Sequence, residues 1–256
     1  MGAEIVNVAE FFFMTLALGV GMFTWIASSR LTGAGFQQLI NSVCLGSTVV
    51  ALLIHLSYGT LTDPITRVYY IAVAAFFLIR QLHKDEKSIF MWVLFLTHNL
   101  ALLYLLLNFQ NGWSPQFHFG VSSAILLGII TYAMVLGHYY LVVPKLSEKP
   151  LKVSVLILWG ILAIKVIWST YETYLNWEFF QEFTRLGGGY AFNWLMLTMR
   201  VGWGYVVIFA MSIFTWKLVK LRSTQSATGV LYAMTIFVFV GELVSAYLFF
   251  KYGLLI

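Results

Sequence analysis

Long apolar runs separated by short polar segments recur from one end of the chain to the other. Most runs approach the roughly 20 residues that an α-helix needs to cross the hydrocarbon core of a bilayer. The chain lacks the alternating polarity, in segments of about ten residues, that is typical of a transmembrane β-barrel. The pattern therefore predicts an all-α, polytopic transmembrane helical bundle that forms a single integral-membrane domain over residues 1–256.

About eight spans are expected. They cover residues 11–28, 38–58, 68–79, 89–107, 121–143, 153–168, 192–216 and 229–250. Basic residues concentrate in alternate connections between these spans: Arg30, Arg80, Lys84, Lys87, Lys145, Lys149, Lys152, Lys217, Lys220 and Arg222. Because lysine and arginine favour the cytoplasmic side of a membrane, these connections are expected inside and both termini on the outer side.

Composition agrees with a membrane protein and narrows its partners. Only 10% of the residues are charged and the mean hydropathy is +0.86, whereas roughly a quarter of a soluble domain is charged. The net charge of +5 comes from the connections, so it indicates topology and not nucleic-acid binding. The single Cys44 excludes an internal disulfide and a thiolate-bound cluster. The expected environment is a lipid bilayer, namely the inner (plasma) membrane of a bacterium or archaeon.

Four histidines lie in or beside the apolar runs, and the fifth, His83, falls in a polar connection. An ionisable residue inside a membrane marks a functional site by default. Sequential antiparallel helices are usually neighbours, so His98 and His138 are expected to face one shared space. His55 and His118 are both expected near the outer face.

This arrangement of histidines resembles, at class level, the bis-histidine b-type membrane cytochromes. The resemblance implies one or two b-type haems, with His98 and His138 as ligands of an inner haem and His55 and His118 of an outer one. Neighbouring glycines and aromatic rings are expected to provide space and flat contact surface for the haems: Gly46, Gly128, Gly137, Phe95, Tyr139 and Tyr140. The sequence departs from the best-known pattern, since His118 and His138 are about 30 Å apart along one helix.

Three charged residues lie inside spans: Lys165, Arg200 and Glu242. Helical rise places them at similar depths in the outer half of the membrane. An unpaired charge near mid-membrane costs about 2.5–3.5 kcal/mol on insertion scales, so Arg200 and Glu242 are predicted to form a buried ion pair. Lys165 is then expected either to extend to the interface or, with Arg200, to bind an anionic group such as a haem propionate or a substrate carboxylate.

The resulting hypothesis is a membrane-embedded electron-transfer protein with b-type haem and a quinone as a further ligand. If it is an enzyme, it is an oxidoreductase component, and its partners are membrane or periplasmic electron-transfer subunits of a respiratory assembly. Three alternatives stay open. The histidines hold a non-haem metal such as copper, the charged trio forms the polar pathway of a transporter or channel, or the chain is a structural or assembly subunit without a cofactor.

Overall fold

The computed structural model describes residues 2–26, 32, 34–82, 89–109, 114–143 and 146–256, and these residues contain no β-strand. Within them, eight long helices follow one another: α1 (Gly2–Met22), α2 (Ala34–His55), α3 (Pro64–Leu82), α4 (Ile89–Phe109), α5 (Pro115–Val142), α6 (Lys149–Leu175), α7 (Tyr190–Lys220) and α8 (Thr224–Tyr252). A 3₁₀ turn, Trp177–Phe180, lies between α6 and α7. The all-α prediction is confirmed.

Seven helices of the described chain are long and apolar enough to cross a membrane, which fits an integral membrane protein in a lipid bilayer. The exception is α3, which carries Arg67 and Arg80 near its two ends. It nevertheless packs against both α2 and α4 and so belongs to the same bundle.

Several helices extend beyond the apolar runs that predicted them. The first helix begins at Gly2 and not at residue 11, so Glu10 lies within it. The fifth begins at Pro115 and not at residue 121, because Ser114 caps it by accepting a hydrogen bond from the Phe117 amide; His118 is therefore helical. Hydropathy predicts only the part of a helix that suits lipid. Polar residues such as glutamate and glutamine also have high helix propensity, so a helix can continue beyond its apolar run.

Five residues that the sequence analysis placed in connections between spans lie outside the described residues: Arg30, His83, Lys84, Lys87 and Lys145.

Close glycine contacts determine how α5 packs against its neighbours. A Cβ atom on Gly19 of α1 would lie 1.8 Å from the Ala124 carbonyl oxygen of α5, and one on Gly128 would lie 2.1 Å from the Gly19 carbonyl carbon. Small residues at such crossings let membrane helices pack closely. Gly137 lies against Thr228 of α8, whose hydroxyl donates to the Gly137 carbonyl at 2.8 Å. Gly128 and Gly137 thus serve helix contacts, and the space expected there for a haem is filled by neighbouring helices.

Ion pairs tie the bundle together at both ends. Glu4 and Lys251 lie 2.6 Å apart and join the start of α1 to the end of α8. At the opposite end, Glu148 pairs with Arg222 at 2.5 Å and with Lys152 at 2.7 Å. The hydrogen bond from Lys152 lowers the pKa of the Glu148 carboxyl, so it is charged at neutral pH. We call the end that holds Glu4 and Lys251 the terminal end.

Candidate functional site

A single carboxylate joins three helices in the interior of the bundle. Glu242 of α8 accepts a hydrogen bond from Arg200 of α7 at 2.8 Å, through Nη1 and Oε1. Its other oxygen lies 3.3 Å from Nζ of Lys165 on α6. All three side chains are at most 3% exposed. We call Lys165, Arg200 and Glu242 the charge cluster.

Lys165 is held inside the bundle and does not extend to an interface. Besides Glu242, its Nζ donates to the hydroxyls of Ser122 at 3.1 Å and Ser123 at 3.0 Å, both on α5. The ammonium group also lies 5.2 Å from the ring centroid of Phe119. The geometry does not support the expected extension of this lysine to the interface, and its anionic partner within the protein is Glu242.

Arg200 keeps unused hydrogen-bond donors. Its Nε and Nη2 atoms are buried and have no hydrogen-bond partner among the described residues. Its guanidinium carbon lies 4.4 Å from the ring centroid of Tyr205, which covers one face of the group. A cavity of about 20 Å³ borders Arg200 and Lys165, which is room for roughly one water molecule. Because a buried donor without a partner costs free energy, these atoms favour a small polar guest.

The backbone around Arg200 is itself unusual. Residues Met199–Val207 form a π-helix within α7, a conformation that is rare and frequent at functional sites. Gly204, in this segment, lies against Gly241 of α8; a Cβ on Gly241 would be 2.6 Å from the Gly204 Cα atom. The two glycines therefore let α7 and α8 approach closely where Arg200 meets Glu242.

An apolar slot of about 680 Å³ runs between α6 and α7 beside the charge cluster. Its lining extends along α6 from Trp159 to Tyr174, roughly 22 Å at about 1.5 Å per residue. Val206 and Phe209 line it and are 60% and 53% exposed, so the slot opens on the outside of the bundle.

The slot's wall is mostly apolar, and the hydroxyls of Thr170 and Thr173 in it donate to carbonyls of their own helix. A further hydroxyl pair lies beside the charge cluster. There the hydroxyls of Tyr205 and Ser169 lie 2.5 Å apart. Ser169 borders both the slot and the small cavity beside Arg200. This hydroxyl pair is the polar link between the apolar slot and the charge cluster.

His98 and His138 are not brought together. His98 is fully buried on α4; its Nδ1 donates to the Ala72 carbonyl of α3 at 3.1 Å, and its ring packs edge-on against Phe76. His138 is exposed on α5, and its Nδ1 lies 3.1 Å from the Tyr232 hydroxyl of α8. The helices α4 and α5 touch only weakly, since α4 packs mainly on α3, so they do not present both rings to one cleft.

His55 and His118 are likewise separate. His55 is buried at the end of α2, and its Nδ1 lies 3.0 Å from Oε1 of Glu10 on α1. His118 is exposed, and its Nδ1 bonds the Ser114 carbonyl one turn earlier in its own helix. Within the described ranges, no group of three or more His, Cys, Asp or Glu side chains is placed to hold a metal ion.

Sequence reasoning missed Glu10 and Tyr205. Glu10 stands directly before the apolar run FFFMTLALGV, one residue outside the predicted span. The uninterrupted helix-forming residues before that run were the available signal. Tyr205 has no signal in the sequence, since its role depends on α6 and α7 meeting at Ser169.

Comparison of the chain with protein-family models, with curated proteins and with solved structures gave no match.

The charge cluster predicts strongly non-additive effects of substitution. Glu242→Gln leaves two buried cations without their carboxylate and is expected to cost about 3–5 kcal/mol of stability. Arg200→Gln combined with Glu242→Gln should cost less than the sum of the two single changes, because the double variant buries fewer unpaired charges. Thermal unfolding in detergent measures each step. The partly exposed pair Glu148–Lys152 is the control, and Lys152→Gln should change stability by less than about 1 kcal/mol. Additive losses at Arg200 and Glu242 would reject the coupling.

Proposed function

We propose that this chain is a membrane-embedded electron-transfer subunit that binds a quinone-type ligand in the slot between α6 and α7. The observation that carries the proposal is the slot's polarity: its wall is mostly apolar, and the hydroxyl pair of Tyr205 and Ser169 lies between it and the charge cluster. Ligand pockets of about 300–1,000 Å³ with a few placed polar groups are typical of small-molecule sites. Respiratory assemblies are the setting in which such a subunit would work.

The slot suits a molecule with a flat polar head and an apolar tail. Trp159, Tyr205 and Phe209 give it aromatic wall surface, and its length of roughly 22 Å accommodates an extended chain. The hydroxyl pair gives the head a partner. One of the Tyr205 and Ser169 hydroxyls must donate to the other, so the remaining hydroxyl proton is available for a ligand carbonyl.

The charge cluster supplies what quinone chemistry requires beyond binding. Conversion of a quinone to a quinol adds two electrons and two protons. The electrons come from the redox partner that an electron-transfer subunit implies, and the protons must reach the carbonyl oxygens within an apolar slot. Ser169 borders the slot and the cavity at Arg200 and Lys165, and that cavity holds roughly one water. Ser169 therefore connects the ligand to the charge cluster.

The geometry of the charge cluster supports a transport pathway less well than it supports quinone binding. Its side chains are at most 3% exposed and bind one another. The cavity beside them, about 20 Å³, admits roughly a single water. A transported solute larger than that would need a second conformation.

Two substitutions test the slot. Val206→Trp should fill it and weaken quinone binding at least tenfold. Tyr205→Phe keeps the ring over Arg200 but removes the hydroxyl, and it should weaken binding by roughly 2- to 12-fold, the equivalent of about 0.5–1.5 kcal/mol for one hydrogen bond. Binding of a short-tailed quinone is measured in lipid nanodiscs by quenching of tryptophan fluorescence.

The matched control is Tyr104→Phe, which removes a half-exposed phenol on α4 outside the slot and should leave binding unchanged. Equal quenching of the wild type and all three variants would mean that the quinone quenches fluorescence from the lipid phase. If the purified protein retains only phospholipid in the slot, the slot is a binding site for an acyl chain. Either result rejects the proposal.

Bound b-type haem is the second candidate, favoured by one feature of His98. The Nδ1–H of this ring is held by a backbone carbonyl, and its Nε2 is buried without a hydrogen-bond partner. Metal-bound histidines commonly have this arrangement. The pairings expected from the sequence, His98 with His138 and His55 with His118, are not supported by the placement of the rings. The haem stays a prediction, and one protein ligand per haem fits these residues better than two.

Haem analysis of purified protein tests this candidate. If haem is bound through His98, His98→Ala should lower the haem-to-protein ratio more than twofold, because the axial ligand is lost. His138→Ala lowers it equally only if the two rings share one iron. His83→Ala, in a connection, is the control. Wild-type protein without haem or iron would eliminate the candidate and leave the slot proposal intact.

We further propose that the bundle crosses the membrane eight times, with the terminal end outside. The Glu4–Lys251 pair supports an even number of passes, since it places the start of α1 and the end of α8 at the same end of the bundle. The basic residues near Glu148 favour the cytoplasmic side.

Cysteines introduced at the exposed positions Lys149 and Gln181 should react with an impermeant reagent from opposite sides of sealed vesicles. The native Cys44 is buried and should not react with the reagent. The variant Cys44→Ser, without an introduced cysteine, measures the background labelling. Labelling of both positions from one side would overturn the eight-span topology.

A further inference from the structure

Four polar side chains meet at the terminal end, on helices that do not border the slot. Glu10 of α1 lies 3.0 Å from Nδ1 of His55 and accepts a hydrogen bond from the Tyr69 hydroxyl at 2.8 Å, both through Oε1. Its Oε2 accepts from the Tyr58 hydroxyl. Glu10 and Tyr69 are 1% exposed and His55 is 7% exposed. We call these four residues the Glu10 cluster.

The hydrogen bonds identify Glu10 as a carboxylate. The hydroxyls of Tyr58 and Tyr69 donate one hydrogen bond to each of its two oxygens, and a carboxylate is the form of this side chain that only accepts. Burial, together with the hydrogen bond to Glu10, raises the pKa of the Tyr58 phenol, so this hydroxyl keeps its proton and donates. Neither tyrosine can contribute a positive charge.

A buried carboxylate needs a counter-charge, and the cluster has one candidate for it. Within the described part of the chain, Glu10 forms no ion pair with a lysine or arginine, and its ion-pair partner is His55. The ionisable groups in contact with Glu10 from α1, α2, the following turn and α3 are those of the cluster itself. Glu4, which pairs with Lys251 of α8, lies roughly 9 Å from Glu10 along α1. Because an uncompensated buried charge is costly, the imidazole is the group that can neutralise Glu10.

The geometry also identifies the atom that takes up the proton. A carboxylate only accepts hydrogen bonds, so Nδ1 of His55 carries a proton and donates it to Glu10. The other ring nitrogen, Nε2, is buried without a hydrogen-bond partner. Gly59 lies against it, and a Cβ at that position would be 2.9 Å from Nε2. A side chain there would press on this nitrogen, so a glycine is needed beside it.

We propose that the Glu10 cluster is a proton-binding site at the terminal end of the bundle. A proton from water adds to Nε2 of His55, the neutral imidazole becomes imidazolium, and the net charge of the cluster rises from −1 to zero. Release of the proton reverses the step, while Nδ1–H stays bonded to Glu10 throughout. This proposal is independent of the quinone slot, because the residues of the Glu10 cluster lie on α1, α2, the turn after α2 and α3.

Nitrogen NMR of ¹⁵N-histidine-labelled protein in lipid nanodiscs tests the site, because the ¹⁵N shifts distinguish the two neutral tautomers from imidazolium. The signals that disappear in His55→Gln are those of His55. In spectra recorded from about pH 8 down to about pH 5, they should show Nδ1 protonated throughout and Nε2 gaining a proton as the pH is lowered. In Glu10→Gln the imidazolium fraction of His55 at about pH 6 should fall at least fivefold, since its counter-charge is removed.

Two controls separate this role from a structural one. Tyr69→Phe removes one donor but keeps carboxylate and imidazole, so the imidazolium fraction should stay within about twofold. The exposed Glu182 carries no partner in the cluster, and Glu182→Gln should have no effect. The proposal is overturned if wild-type His55 stays neutral over the whole range, if its neutral form carries the proton on Nε2, or if Glu10→Gln leaves the imidazolium fraction unchanged.

Discussion

The bridging of Lys165 and Arg200 by Glu242 is the interaction on which the arrangement of α6, α7 and α8 depends. A charged side chain cannot be left alone in an apolar bundle, so the three helices must place these groups within hydrogen-bond distance of each other. The glycine contact between Gly204 and Gly241 follows from the same requirement, because it lets two backbones approach where the arginine must reach its partner. The π-helical segment lies at the same level.

The two buried polar clusters solve the problem of charge in different ways. In the charge cluster, a lysine and an arginine share one carboxylate, and serine hydroxyls accept the remaining hydrogen bonds of Lys165. In the Glu10 cluster, the only possible cation is an imidazole, whose charge depends on a proton. The first arrangement holds three helices together through paired charges. The second has two protonation states, which is the property that a proton-binding site requires.

The proposed ligand site arises where the most polar and the most apolar features of the bundle meet. The slot by itself is an apolar groove that a lipid chain could fill. Tyr205 and Ser169 distinguish it, because their hydroxyls lie between the slot and the buried charges. A molecule that has an apolar tail and a polar head which exchanges protons uses both parts, and quinones are molecules of that kind.

The sequence by itself determined the class of protein and the residues of highest interest. Apolar runs of membrane length can only form helices in lipid, because every backbone polar group must be satisfied internally. Charges within those runs must find partners, which is why Lys165, Arg200 and Glu242 could be selected without a structure. The helix ends were less predictable: α1 includes Glu10 because a helix continues beyond its apolar part.

Only the tertiary structure decided which side chains share a space. Adjacency along the chain suggested that α4 and α5 would present His98 and His138 together, but α4 packs on α3, and α5 packs on α1, α6 and α8. Helix rotation and neighbour choice depend on small-residue contacts such as Gly19 with Gly128, which hydropathy does not register. For the same physical reason, the contacts of His55 with Glu10 and of Tyr205 with Ser169 join residues 45 and 36 positions apart and have no local signature in the sequence.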